Sequence, residues 1–257
     1  LGGAYAMLPD GSDAPTYATL SSRFATAAAR LAELSAAQAV APLHAMYAAL
    51  HADIERFAAS CHEQTELNKP THLAAIGKVK SIVNLLWPRA QVTAYGSYAT
   101  GLMRPGSDID LIVTLPPVRT TTAMPEAPGT LEDRNAIPMD TWQANLARCL
   151  INQEWVIPES VRTIVSAVPI VSFATVYCTA GGPLRLDVSF EGDVHRGHVH
   201  NGVPTNEFVR HTLAERRAVK PLTLVLKQFL AERSLDKPYL GGLSSYGLLL
   251  LVTRFLQ

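Results

Sequence analysis

Charge is scarce in this 257-residue chain and neither sign is in excess: Asp, Glu, Lys and Arg make up 17%, with 22 basic residues against 22 acidic ones. That balance excludes a chain broadly coated in positive charge. Contact with nucleic acid would have to come from a local patch or a partner. Cysteine is scarce too. Cys61, Cys149 and Cys178 lie far apart, are odd in number and form no C-x-x-C pair. This argues against a disulfide framework and a cysteine zinc site, and fits reduced thiols in an intracellular protein. Long apolar runs are missing. The densest, Gly247–Thr253 (GLLLLVT), falls far short of the roughly 20 residues a membrane-spanning helix needs. There is no internal repeat. What is present is a 48% share of hydrophobic residues, enough for a real core in one or two domains and too much for wholesale disorder.

Residues 1–41 are rich in Ala, Ser and Thr and read as an extension; Asp10, Asp13 and Glu33 speak against a transit peptide. The start at Leu1 and the end just after an apolar run read as a piece of a longer protein. Leu43, Met46, Tyr47, Leu50, Ile54 and Phe57 recur at helical spacing, as do Leu73, Ile76, Val79, Ile82, Val83 and Leu86, so two helices are expected. Pro88 stops the second, because proline disfavours helical geometry in the residue before it. A short strand is expected over Gln91–Tyr95, a helix or turn over Tyr98–Leu102, and a strand over Asp108–Leu115. A Pro- and Thr-rich loop should fill 116–138, followed by a helix from Asp140 or Thr141. Strands Val168–Thr175 and Leu184–Phe190 come next, then helices near 206–216, 221–233 and from Ser244 onward. The whole is an α+β unit with helices on both sides of it in sequence.

The strand at Asp108 reads D-I-D-L-I-V. Strand side chains alternate, so Asp108 and Asp110 share one face while Ile109 and Leu111 take the other. Two carboxylates so placed repel unless a cation or water lies between them, and oxygen-rich pairs suit Mg²⁺ with substrate phosphates completing its shell. On the later strand Leu184, Leu186, Val188 and Phe190 share one face, and Arg185, Asp187 and Ser189 the other. If the apolar faces align, Asp187 joins the other two acids, enough for one or two divalent ions. Upstream, Gly96-Ser97 stands where a strand turns into a helical segment, a place whose N–H groups can cradle phosphate. Each element alone is weak: a lone D-x-D is more often a solvated strand end. The joint pattern is much more specific.

The run GSYATGLMRPGSDIDLIV (96–113) resembles the signature of the DNA polymerase beta-like nucleotidyltransferase superfamily. More narrowly, the chain resembles the eukaryotic TRAMP-type nuclear poly(A) RNA polymerases, once called DNA polymerase sigma. The matching stretches are LHADIERF (50–57), LLWPRAQVTAYGSYATGL (85–102), VPIVSF (168–173), LRLDVSF (184–190), NGV (201–203) and the run from Leu224 to Gln257. The resemblance implies a mixed-sheet catalytic domain at 67–198. It also implies a partial, discontinuous helical central (PAP-associated) domain, made of a helix at 42–66 and of 199–257. It implies that Asp108, Asp110 and Asp187 bind two Mg²⁺ or Mn²⁺ ions and that Gly96 and Ser97 bind phosphate. By the same resemblance Asn201 contacts ribose, Lys227 and Ser245 contact the triphosphate, and Tyr246 stacks on the base. The implied reaction is template-independent addition of AMP from ATP to an RNA 3′ end, in the nucleus. The implied partners are a zinc-knuckle RNA-binding protein and an RNA helicase, with no membrane. A terminal uridylyltransferase of the same fold and a non-catalytic RNA-binding or scaffold fragment are the alternatives. Departures from the family pattern are Ala231, where some relatives carry a second basic residue, and an expanded segment with His195, His198 and His200. With His211 that segment allows only a weak zinc reading, since no cysteine or acid cluster completes it.

Overall fold

The computed structural model describes residues 21–23, 25–26, 40–114, 139–164, 169–179, 181–191 and 200–257. The expectations for the N-terminal extension, the 116–138 loop, His195 and His198 fall outside those residues. By contact the chain divides into two units: Gln64–Glu215, and residues up to Glu63 together with Arg216–Gln257.

The first unit is built on alternation. Its strands are β1 (Gln91–Tyr95), β2 (Ile109–Thr114), β3 (Arg162–Ile164), β4 (Ile170–Thr179) and β5 (Gly182–Phe190), in the order β1-β2-β5-β4-β3. β2 and β5 run parallel, and every other neighbouring pair is antiparallel. Ile109, Leu111 and Val113 of β2, Leu184, Leu186, Val188 and Phe190 of β5, and Val171 and Phe173 of β4 are buried. They form one apolar face. Two helices contribute to the same core. From α1 (Val40–Leu86) come Ala75, Ile76, Val79, Ile82 and Val83; from α3 (Met139–Ile151) come Trp142, Leu146 and Leu150. Phe190 sits between two indoles, 5.7 Å edge-on from Trp87 and 6.0 Å from Trp142 between ring centroids. Such aromatic pairs add about 0.5–1.5 kcal/mol beyond area burial.

α1 differs from the sequence expectation. It is one helix of 47 residues running through Pro70, where two were expected. The polar stretch between the two apolar stripes looked like a break, yet Cys61 and His72 within it are buried. Tertiary packing outweighs the propensity cost of the proline. β3 was not expected at all: three exposed residues carry no periodicity to read.

Two short helices complete this unit, α2 (Gly96–Thr100) and α4 (Gly202–Glu215). α4 belongs with the sheet, whereas the sequence reading groups everything from 199 with the helical domain. Three hydrogen bonds tie it there. The Asn206 side chain accepts from the Gly96 N–H at 3.0 Å, and the Arg210 guanidinium donates twice to the Ala99 carbonyl, at 3.1 and 2.8 Å.

In the second unit, Asp53 of the LHADIERF stretch is buried and paired with both Arg23 and Arg56. Helix α5 (Val219–Glu232) packs on α6 (Ser245–Phe255). Ser244 caps α6 by accepting from the Gly247 N–H at 3.0 Å, the usual serine solution for an orphan helix donor. Arg216 closes the end by donating to the Leu256 carbonyl at 3.1 Å.

Candidate active site

The polar face of the sheet holds the acids. Asp110 of β2 and Asp187 of β5 are register partners on adjacent parallel strands, so they stand side by side, with strands about 4.8 Å apart. Asp108 sits just before β2, at the end of a tight turn. The Arg104 N–H donates to Ser107 Oγ at 3.1 Å, and the Ser107 N–H donates to the Arg104 carbonyl at 3.0 Å. Asp108 lies 3.3 Å from Arg185 Nε.

The electrostatics carry the mark of crowded acids. The Asp108 carboxyl is raised above its ordinary value, first by burial and then by repulsion from Asp187, while Arg185 pulls it back down. The Tyr95 hydroxyl is pushed up to about 12, chiefly by burial, with Asp110 and Asp187 adding to the rise and a Ser189 hydrogen bond opposing it. Asp187 Oδ1 is buried without a hydrogen-bond partner. A buried carboxylate oxygen left so is expensive, and it marks a place where a cation would be stabilised. Among the described residues no three His, Cys, Asp or Glu side chains stand as a ready-made metal cage; Asp108 is drawn instead to Arg185. The donor set, carboxylate oxygens only with one orphaned, nonetheless fits Mg²⁺ or Mn²⁺.

Gly96 opens α2 with φ +67°, a left-handed conformation that glycine adopts without strain. A Cβ there would run into the Asp110 carboxylate. Glycine is thus what lets the turn lie directly against this acid. Its N–H donates to Asn206 Oδ1, so of the N–H groups at this turn the one on Gly96 is already engaged. α4 fixes α2 at its start through Asn206 and near its end through Arg210.

A second network was not foreseen. The Gly202 N–H donates to His200 Nδ1 at 3.1 Å, so this nitrogen carries no proton and the Nε2–H faces Ser189 Oγ at 3.0 Å. Ser189 has one hydroxyl proton, and the Leu111 carbonyl at 3.0 Å can only accept it. Its lone pairs receive the His200 Nε2–H, and the Tyr95 hydroxyl oxygen, 3.2 Å away, is a second acceptor for the Ser189 proton. The Tyr95 and His200 rings meet edge to face at 4.7 Å, and a Cβ on Gly202 would collide with both. The Gly of N-G-V is the sequence trace of this packing. His200 is thereby engaged with Ser189, and His211 lies 3.1 Å from Glu215.

Of the other expected residues, Asn201 is exposed, and its carbonyl accepts from Thr205 at the start of α4. Lys227, Ser245 and Tyr246 belong to the other unit. Lys227 is buried in α5, while Ser245 and Tyr246 are exposed in the first turn of α6.

A parallel pair of acid-bearing strands, with a Gly-Ser turn packed against one of the acids, defines a class. Residues 76–171 match the nucleotidyltransferase domain family, and the structure is the α+β fold of that class. The chain is homologous to poly(A) RNA polymerases. It is 29% identical over 206 residues to poly(A) RNA polymerase protein 2 of Saccharomyces cerevisiae, covering 80% of this chain and 30% of that protein. It is 30% identical over 214 residues to the inactive non-canonical poly(A) RNA polymerase Trf4-2 of Drosophila melanogaster, covering 81% of this chain and 44% of that protein. Among solved structures, the polymerase core of TRAMP, an RNA surveillance complex, matches with TM-score 0.53 at 28% identity, over 79% of this chain and 54% of that one. A Cid1 poly(U) polymerase structure matches with TM-score 0.53 at 22% identity, over 78% and 56%, a likeness of fold. The chain spans less than half the length of these curated relatives.

Proposed function

We propose that this chain is the catalytic part of a template-independent RNA 3′-end nucleotidyltransferase that adds AMP from ATP and releases pyrophosphate. The observation that carries the reading is the Asp110–Asp187 pair, with an orphaned buried oxygen on Asp187 and Gly96 held against Asp110. Asp108, Asp110 and Asp187 would hold two divalent ions, which supply charge neutralisation for the triphosphate and raise the nucleophilicity of the acceptor hydroxyl. Ser97 binds phosphate, and Gly96 permits the close approach. Asp187, beside the acceptor, takes the proton of the RNA 3′-hydroxyl. Asn201 orients the ribose, Lys227 and Ser245 the triphosphate, and Tyr246 stacks on the base, a sequence-tolerant contact. The chain's own contribution is positional and electrostatic. Neutral net charge fits low RNA sequence preference, with a zinc-knuckle protein and a helicase delivering RNA in the nucleus.

The fold likeness to a poly(U) polymerase supports a second reading, UTP as substrate. Incorporation of each of the four nucleotides onto an RNA primer, by the natural protein that carries this chain, separates the two. ATP is expected to dominate, and UTP preference would replace the first reading by the second. Asp110→Ala is expected to reduce extension to background; undiminished extension would reject the site. A homologue described as inactive makes the wild-type assay the first to run.

A further inference from the structure

One row of residues crosses the whole sheet in register: Tyr95 of β1, Asp110 of β2, Asp187 of β5, Ser172 of β4 and Arg162 of β3. Register partners share a face, so Arg162 lies on the acid-bearing face. Its backbone is two strand spacings, about 10 Å, from that of Asp187. Arg162 is exposed on an edge strand and has no ion-pair partner among the described residues. Between it and Asp187 in the row stands Ser172 of β4, small and buried. The row is therefore asymmetric about its acids. The Gly96-Ser97 turn and the β1–β2 pair lie on one side; a lone guanidinium lies on the other.

We propose that Arg162 binds the phosphodiester backbone of the acceptor RNA, one or two nucleotides behind its 3′ end. This rests on the transferase reading above. If the incoming triphosphate takes the Gly96-Ser97 side and the 3′-hydroxyl meets Asp187, the strand behind that hydroxyl has to leave over β4 and β3. There the acids would repel its phosphates if no cation followed them. An arginine fork suits a phosphate diester and carries no base information. It thus adds affinity without sequence preference, in keeping with a chain of zero net charge. The alternative role of an edge-strand charge is to block pairing with another sheet.

The test measures binding of a fluorescent single-stranded RNA in EDTA, so that no chemistry intervenes, alongside primer extension with ATP. Arg162→Ala is expected to weaken RNA binding about three- to tenfold and equally for different sequences. It is also expected to lower the slope of log affinity against log salt by about 0.7, the contribution of one phosphate contact on a single strand. Arg162→Lys should recover most of both, and the KM for ATP should not move. Unchanged RNA affinity and salt slope in Arg162→Ala would overturn the proposal while leaving the transferase reading intact. A shift confined to the KM for ATP would assign the arginine to the triphosphate and overturn it too. RNA binding that depends on Arg162 in a wild-type protein that extends nothing would instead sink the transferase reading and keep the RNA contact. Wild type that binds no RNA would sink both. Melting temperature, expected to be unchanged at an exposed edge, guards against a folding defect.

Discussion

Gly96→Ala separates strain in the backbone from damage to the acids. Gly96 has φ +67°, and placing an alanine in that left-handed region costs about 1–2 kcal/mol. The added methyl also lands on the Asp110 carboxylate. That obstacle is the end of a rotatable side chain rather than backbone, so the fold escapes by turning Asp110 away. The further cost in stability is small, but the acid no longer stands beside Asp187. We therefore expect a loss of about 1–2 kcal/mol in denaturant unfolding, with primer extension falling as far as in Asp110→Ala. The control is Gly182→Ala. Gly182 also has positive φ, +99°, but nothing lies within 4 Å of its would-be Cβ. It should show a comparable stability loss and retain activity. Equal activity losses in the two variants, or a Gly96→Ala protein that extends RNA normally, would refute the claim that glycine is there to seat Asp110.

Three further outcomes follow from the geometry. Asn206→Ala leaves the Gly96 N–H without its acceptor and should cost about 1–3 kcal/mol in chemical unfolding, with extension reduced; Asn206→Asp, which keeps an acceptor, should be milder. Phe173→Ala removes a fully buried ring of the core and should cost about 3–5 kcal/mol, visible as a large drop in melting temperature. Burial holds His200 and His72 below the ordinary histidine value. The unfolded chain therefore binds more protons than the folded one, and stability should be full above about pH 6.5 and fall as the pH drops through the folded values. His200→Gln should flatten part of that pH dependence between 7.5 and 5, and an unchanged profile would remove His200 from the account.

The faces of the sheet were legible because β-alternation is a strict period of two. The sequence places Asp108, Asp110 and Asp187 opposite Ile109, Leu111 and Leu186, and β2 and β5 pair with Asp110 beside Asp187. The partner strand itself cannot be read from periodicity, and neither can β3, whose three exposed residues show no pattern. The single helix α1 was missed for the reverse reason: a polar middle and Pro70 imitate a boundary that packing overrides. Asn206, Arg210, Ser189 and His200 were also invisible as supports of the site. Each acts through a contact between segments far apart in sequence, such as the 110 residues between Gly96 and Asn206. Only the glycine of N-G-V hinted at close approach.

If Asp187 is kept as a cation ligand, the apo fold bears a cost for it. Titration calorimetry with Mn²⁺, run beside denaturant unfolding on wild type and Asp187→Asn, tests this directly. The expected result is a variant at least as stable as wild type, since a charged group with one buried oxygen lacking a hydrogen bond, and its repulsion of Asp108, are gone, with Mn²⁺ affinity down at least tenfold. A variant that binds Mn²⁺ as tightly as wild type would contradict the claim.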